Sequence, residues 1–434
     1  MASSFLSACR SCGGAHLTPA FTLGHNNAWV FCGDAEGEAG CGLLQRATMG
    51  AEPAAVLPTA LSWTEQYRLR GVVSSALEMV TTRDGKALDI GCGTGTLLSA
   101  YPRWVSPVGI DERLHATGPA DWGVGIASAF LSEEAQEILS SVAGQGFDVI
   151  TAIGSFERTE DPTSFLHHVK ALLARDGVFV LETPYAALAL TRTLTSPFHC
   201  EANALYSLAT LERLVSAVGL RIVRGSMTEM AGGSIRLFLT HEEYRGHDYG
   251  PWYEMLARLW DEETALNLKG RGAYQAFQTR LHERAMDIAA LKSSMVRADE
   301  HAYVVGTDAR TFGTLQAGDI DYDIISAHIG DIPRDGFPEV ITEDMARQAP
   351  PDVLIAPAWR RREMLEAWHD EIMEGMRLVF LEPEVLVVEA DNYAAELGRA
   401  LAVTDGPGSV ETLRAALAAM RGPQLRVVSQ SGGA

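Results

Sequence analysis

Residues 86–111, KALDIGCGTGTLLSAYPRWVSPVGID, constrain this chain's fold more than any other stretch. Lys86 to Ile90 is a short apolar run, and Gly91, Gly93 and Gly95 follow at alternate positions. That pattern predicts a strand feeding a tight loop, because glycine takes positive φ without penalty and lets a ligand approach the backbone with no Cβ in the way. Further on, Val108-Gly109-Ile110-Asp111 sets a carboxylate at the end of a second apolar run. In an open parallel sheet a carboxylate there holds a ribose diol. Strand and helix patterns then alternate as far as Thr240, which predicts a mostly parallel sheet covered on both faces.

Two cofactors suit such a loop, a dinucleotide and S-adenosylmethionine; a glycine-rich turn with no ligand is the third reading. A dinucleotide fingerprint is G-x-G-x-x-G, with a helix N-terminus facing a pyrophosphate. The string here is Asp89-Ile90-Gly91-Cys92-Gly93-Thr94-Gly95, and an acid at its head suits an ammonium better than a phosphate. It resembles motif I of the class I S-adenosylmethionine methyltransferases. The resemblance implies Asp89 near the methionine end of the cofactor, Gly91, Cys92, Gly93 and Gly95 along it, and Asp111 on the ribose.

The chain has 434 residues, too many for one compact core, so two or three domains are expected. Nothing resembles a signal peptide, and no apolar run approaches the eighteen or so residues of a membrane span, so a soluble, cytoplasmic protein is expected. Thirty-five basic against 56 acidic residues give a net charge of −21, which argues against a nucleic-acid partner and leaves a small-molecule acceptor. Arg360-Arg361-Arg362, the one basic cluster, reads as a solvated helix start.

Cys9, Cys12, Cys32 and Cys41 crowd the N-terminus, with only Cys92 and Cys200 beyond. In a reducing cytosol such clustering suggests a metal, and four thiolates match tetrahedral zinc. Loose thiols and a redox dithiol are the competing readings. The nine-residue step from Cys32 to Cys41 is longer than a zinc ribbon's usual step of about three, but its insert, Gly33 to Gly40, is polar and glycine-rich and can loop out.

A helix is expected from Trp63 to Val80, with Trp63 and Tyr67 on one side, either leaning over the ligands or packing between domains. Phe147 to Ala152 reads as a buried strand and Asp161-Pro162 as a helix start, while His167 and His168 read as surface side chains. Asp176-Gly177 reads as a turn into a strand from Val178 to Glu182. Thr183 to Tyr206 then breaks the alternation, and it gathers Tyr185, His199, Glu201, Asn203 and Tyr206 close behind Glu182. Loops at the carboxyl ends of parallel strands carry function, so acceptor chemistry is expected there. Ser207 reads as the N-cap of a helix from Leu208 to Val218. Gly232-Gly233-Ser234-Ile235-Arg236 places a glycine pair beside a hydroxyl and a guanidinium, either to bind an anionic substrate group or as a β-bulge. Pro251 to Arg297 reads as helix broken at Gly270-Arg271-Gly272. Strands are then expected near Tyr303 to Gly306, Tyr322 to Ile325, Val353 to Ala356 and Arg377 to Leu381, with no G-x-G-x-x-G.

The whole arrangement resembles the deoxysugar C-methyltransferases. The resemblance runs from Cys9 to about Pro383. It lies in Leu23-Gly24, Cys41 to Gln45, Asp89 to Gly95, Leu181 to Tyr185, Glu201 with Tyr206-Ser207, Gly232 to Arg236, and Pro351 to Trp359. It implies an α/β protein: a class I methyltransferase Rossmann-like domain, a small N-terminal zinc module, and a second C-terminal Rossmann-like domain. The expected boundaries are 1–60 for the zinc module, 61–245 for the methyltransferase domain, 246–300 for a helical connector, 301–390 for the C-terminal domain and 391–434 for a helical extension with a disordered tail. It also implies a methyl transfer to a carbon of a nucleotide-linked keto sugar in antibiotic biosynthesis.

The chain departs from that family where the family keeps histidines, at about Arg158, at Ala202 and at Ala231. Carbon methylation needs a base for the proton α to a ketone and a stabilised enolate. The remaining candidates are His199 as base, or as no more than a loop histidine, with Glu201 orienting it or acting itself. Tyr185 and Tyr206 are the expected oxyanion donors, and Tyr67, Glu182, Asn203, Ser234 and Arg236 the expected acceptor contacts. An oxygen or nitrogen acceptor, or a methyltransferase-like protein with another role, are the alternatives.

Overall fold

The computed structural model describes residues 5–24, 27–48, 63–82, 84–113, 124–126, 128–199, 201–247, 250, 252–320, 323–330 and 339–402. Cys200, the side chain of Trp63 and the chain beyond 402, for which expectations were stated, lie outside that description.

The chain opens with three antiparallel strands, β1 (Leu17–Leu23), β2 (Asn27–Cys32) and β3 (Leu44–Arg46). They have no separate core. Phe21 and Trp29 point at Phe198, with ring centroids 5.1 and 4.9 Å away, and Phe31 stacks on Tyr274 at 4.3 Å. A sheet this small buries too little of itself to stand alone and so leans on the acceptor stretch and a later helix.

Next come α1 (Trp63–Leu77), β4 (Gly85–Ile90), β5 (Val105–Ile110), β6 (Val124–Ile126), α2 (Glu133–Ala143), β7 (Phe147–Ile153), α3 (Pro162–Leu172) and β8 (Leu173–Pro184). After them run α4 (Ala186–Thr191), β9 (Ala204–Leu205), α5 (Leu208–Ala217), β10 (Leu220–Thr228) and β11 (Ser234–His241). Seven strands form one sheet in the order β10-β11-β8-β7-β4-β5-β6, in which β11 alone runs against its neighbours. The chain leaves β4 toward β5 on one side and returns to β7 on the other, so the sheet's switch point lies between β4 and β7. The expected caps are in place: Asp161 accepts from Ser164 N at 2.9 Å, and Ser207 and Thr210 form a reciprocal box at the start of α5.

One expectation fails here. Asp176-Gly177 does not separate α3 from a strand beginning at Val178; β8 already starts at Leu173, which pairs with Phe147, and pairing resumes at Val178 opposite Val149. The intervening residues bulge outward, so the glycine serves a loop inside the strand. A Cβ on Gly177 would stand 2.8 Å from the Phe147 carbonyl oxygen.

Two helices follow, α6 (Trp252–Leu266) and α7 (Gly272–Ala298), and then a second sheet built from β12 (Ala302–Val305), β13 (Ile325–Ile329), β14 (Glu339–Ile341), β15 (Val353–Ile355), β16 (Arg377–Phe380) and β17 (Leu386–Val388). Its order is β14-β13-β12-β15-β16-β17, parallel except for β17, and its own switch point lies between β12 and β15. Helix α8 (Ala309–Ala317) follows β12, and α9 (Glu343–Gln348), α10 (Arg361–Ala367), α11 (His369–Met373) and α12 (Tyr393–Ala402) complete the described chain. The strand expected at Tyr322 to Ile325 is observed from Ile325, where parallel pairing with β12 fixes it, and β14 and β17 were not foreseen. Among the described residues no helix is long and apolar enough to cross a membrane.

Candidate active site

The glycine loop sits at the switch point of the seven-stranded sheet. Gly91, Gly93 and Gly95 all have positive φ, and a Cβ on Gly91 would lie 2.6 Å from the Cβ of Ser155, at the end of β7. Ser155 Oγ donates to the Ile90 carbonyl at 2.8 Å, tying the ends of β4 and β7 together. Asp89 is buried and accepts from Thr151 Oγ at 2.6 Å. Burial pushes its carboxyl up to about 7, against the Thr151 bond and with help from the charge of Asp111. The Cys92 side chain points back into the sheet, its Sγ within 2.7 Å of where a Gly109 Cβ would stand, so only its backbone faces the loop.

Asp111 stands at the end of β5 and accepts from Gly93 N at 3.1 Å. Arg113 grips the same carboxylate through its backbone N–H and Nε, both at 2.9 Å, and through Nη2 at 2.8 Å. Burial would raise this carboxyl, but the guanidinium outweighs it and holds the group below its ordinary value.

The stretch expected to carry acceptor chemistry reaches this loop through Arg158, which stands beside Gly91. His199 is buried, and its Nδ1 accepts the backbone N–H of Glu201 at 3.3 Å, while Nε2 has no partner. Burial, followed by the charges of Arg310, Arg158 and Arg46, drives the imidazole well below its usual value. The Glu201 carboxylate does not orient the ring; it lies 3.5 Å from Arg158 Nη1. Asn203 donates from Nδ2 to the Arg158 carbonyl at 2.6 Å, and Tyr206 is fully buried against Phe156 with its hydroxyl unpartnered. Tyr185 is engaged elsewhere: its hydroxyl donates to Glu263 on α6 at 2.6 Å, and Glu263 also accepts from the first amides of α5.

Four residues that sequence reasoning passed over complete the cluster. Glu157, buried beside Arg158, accepts from Thr183 Oγ at 3.3 Å and from Arg310 Nη2 at 3.3 Å. Arg310 arrives from α8, far along the chain, and no local pattern announces it. Glu382, after β16, accepts from Thr195 N at 2.6 Å and Ser196 N at 3.1 Å at the start of the acceptor stretch. Arg113, two residues past Asp111, is the one that spacing alone could have found.

Other expected contacts are not brought to this cluster. Glu182 lies on the sheet face covered by α1, where Arg68 Nη1 at 2.7 Å, Arg236 Nε at 2.6 Å and Thr228 Oγ at 2.9 Å surround it. Ser234 donates to the Met230 carbonyl at 2.8 Å. The glycine pair before it is a turn between β10 and β11, not a bulge; a Cβ on Gly233 would fall 1.9 Å from Leu188 Cδ2. Tyr67 is 74% exposed on α1.

At the N-terminus the four clustered cysteines converge, their sulfurs all within 4.8 Å of one another. Cys9 and Cys41 Sγ are 3.6 Å apart and Cys12 and Cys32 Sγ 3.5 Å, near the ~3.8 Å edge of a tetrahedron with metal–sulfur bonds of about 2.3 Å. Backbone amides of Ser11 and Cys41 point at the sulfurs of Cys9 and Cys32. Asp34 folds the long insert by accepting from the amides of Gly37, Glu38 and Ala39, and Gly40 is required because a Cβ there would lie 2.3 Å from the Cys32 carbonyl oxygen.

Residues 64–224 match the methyltransferase domain family, and residues 229–383 match the C-methyltransferase C-terminal domain family. The two matches make the chain an S-adenosylmethionine-dependent methyltransferase with a C-methyltransferase C-terminal domain. This methyltransferase, of the S-adenosylmethionine-dependent kind, is 24% identical over 336 residues to the C-methyltransferase NovU of Streptomyces niveus, covering 75% of this chain and 79% of that one. It is also 32% identical over 136 residues to a ubiquinone biosynthesis O-methyltransferase of Psychrobacter cryohalolentis, covering 29% of this chain and 52% of the other. Among solved structures, an S-adenosylmethionine-dependent methyltransferase from Clostridium acetobutylicum aligns with a TM-score of 0.33 and 12% identity, covering 42% of this chain and 92% of that chain.

Proposed function

We propose that this methyltransferase adds a methyl group to a carbon α to the ketone of a nucleotide-linked deoxysugar, or of a closely related small molecule, in natural-product biosynthesis in the cytoplasm. The resemblance from Cys9 to Pro383 and the NovU relative support carbon as the acceptor atom. One observation carries the reading. The stretch with His199, Glu201, Asn203 and Tyr206 touches Arg158 beside the glycine loop at one end and is held to the second sheet by Glu382 at its start.

Bound S-adenosylmethionine supplies a methyl group already activated for in-line displacement. In our reading Asp89 takes the cofactor's ammonium, the backbone of Gly91, Cys92, Gly93 and Gly95 lines its path, and Asp111 exchanges Arg113 for the ribose diol. The roles of the acceptor residues follow from the tautomer of His199. A backbone N–H only donates, so Nδ1 is the acceptor and a neutral ring carries its hydrogen on Nε2. A buried neutral imidazole of that tautomer is a donor to a developing enolate oxygen, not a base. Glu201 is then the base for the α-proton, Tyr206 the second donor, and Asn203 a positioning residue for Arg158 through its bond to that backbone. Tyr185, with its hydroxyl on Glu263, shapes the pocket.

The four cysteines fit zinc, and we assign it a structural role, since four sulfurs leave no open coordination position. Ala202 and Ala231, standing where the resembled family keeps histidines, favour an oxygen or nitrogen acceptor as the second reading. The test is incubation of the whole protein with methyl-labelled S-adenosylmethionine and a panel of nucleotide-linked 4-keto sugars, followed by mass spectrometry and NMR of the products. A new carbon-bound methyl supports the proposal; labelled methyl on oxygen or nitrogen alone replaces it with the second reading.

A further inference from the structure

Among the described residues, Arg158 is held by its surroundings through a single ion pair, to Glu201. Its Nη2 lies 3.2 Å from where a Cβ on Gly91 would stand, so the guanidinium hangs over the first glycine of the loop. Its closest acid is Glu201, 3.5 Å away, and among the described residues the guanidinium donates no hydrogen bond. The rest of the neighbourhood is already paired: Arg113 covers Asp111, and Glu157 accepts from Arg310 and Thr183. A guanidinium has five N–H donors in a planar fork, so one ion pair at 3.5 Å leaves most of them open to solvent or to a ligand. The arrangement calls for an anion with two coplanar oxygens at Gly91.

We propose that Arg158 binds the α-carboxylate of the cofactor's methionine tail, while Asp89, two residues before Gly91, takes the ammonium. This rests on the reading that the glycine loop seats S-adenosylmethionine. An acid two residues before Gly91 and a guanidinium over it match a zwitterionic amino acid, charge for charge, with no Cβ on Gly91 to keep the ligand from the arginine. Asn203 and the short helical turn Phe156–Arg158 position the arginine, through the 2.6 Å bond from Asn203 Nδ2 to its carbonyl. The same guanidinium then stands between the cofactor's carboxylate and Glu201, so it also orders the carboxylate assigned to the acceptor.

The experiment needs no acceptor. Calorimetric titration of the full-length protein with S-adenosylmethionine, S-adenosylhomocysteine and decarboxylated S-adenosylmethionine gives the preference for the carboxylate as a ratio of Kd values. Wild type is expected to favour S-adenosylmethionine over the decarboxylated form by roughly ten- to a hundredfold, the worth of a charge-assisted fork. Arg158→Gln is expected to bring that ratio close to one by weakening S-adenosylmethionine and S-adenosylhomocysteine while leaving the decarboxylated form unchanged. Arg158→His, the residue type the resembled family keeps at about this position, is expected to do the same and covers the case in which the Gln variant fails to fold. A wild-type ratio near one, or a ratio that survives in a folded variant, overturns the proposal. Wild type that binds neither S-adenosylmethionine nor S-adenosylhomocysteine overturns the cofactor seat itself and this proposal with it, a result distinct from tight binding without preference.

Discussion

Nδ1 of His199 accepts the backbone N–H of Glu201 at 3.3 Å, so the histidine of the acceptor stretch is pinned as a donor at its other nitrogen. Its protonation is opposed by burial and by three arginines. The unfolded chain takes up a proton near the ordinary histidine value of about 6.5, and the folded chain does not, so acid favours unfolding. His199→Asn, whose carbonyl can still accept from Glu201, is expected to lose Tm less steeply than wild type as the pH falls from about 7.5 to about 5.5. Parallel slopes in differential scanning calorimetry would mean that the ring is charged in the folded protein.

Asp89 titrates in the opposite sense. Its folded value of about 7 lies above the unfolded one, so the stability it lends is full below about 4 and is lost as the pH rises through 7. A cationic ligand beside it lowers that value again. Binding of S-adenosylmethionine at pH 7 is therefore expected to release about half a proton, seen as different enthalpies in buffers of different ionisation heat. Asp89→Asn should abolish the difference. Equal enthalpies for wild type in both buffers would place the ammonium elsewhere.

The cysteine cluster and the acceptor stretch are mechanically joined. Strand β3 pairs with β9, and Arg46 on β3 donates to the carbonyls of His199 at 2.7 Å and Ala202 at 3.0 Å. Elemental analysis is expected to find one zinc per chain. Removal by a chelator should lower Tm and speed proteolysis between residues 195 and 206, because a structural zinc contributes folding energy directly. Unchanged cleavage after verified metal loss would break the link.

Gly233 is a packing requirement. Alanine there would drive its Cβ to 1.9 Å from Leu188 Cδ2 at a φ of +151°. Gly233→Ala is expected to cost about 1–3 kcal/mol in urea denaturation, and Leu188→Ala in the same chain should recover part of it. Strict additivity of the two would show that backbone strain, not the leucine, is responsible.

The glycine-loop half of this candidate site was legible because its signals are local. Alternate glycines after an apolar run, and an acid closing the next strand, define a loop before any long-range contact is known. The cysteines declared themselves by count and clustering. The acceptor half was only partly legible, because its pairings cross the sheet and the chain. Glu182 and Thr183 are neighbours in sequence, yet strand alternation sends Glu182 to Arg236 and Arg68 on one face and Thr183 to Glu157 on the other. Tyr185 was expected to face the substrate, and only α6 reveals that Glu263 takes its hydroxyl. Asp176-Gly177 does form a turn, but as a bulge between the pairing of Leu173 and that of Val178, so it interrupts β8 instead of starting it.

The stretch from Thr193 to Tyr206 is gripped from three directions: by Arg46 of the N-terminal sheet, by Arg280 and Arg284 of α7 at Thr193, and by Glu382 of the second sheet. A shortened protein cut to residues 64–224 would keep every donor-facing glycine and acid but would lose all three clamps. The flanking regions are therefore the mould in which the reactive surface is cast, and engineering for a new acceptor has to redesign that mould together with the loop.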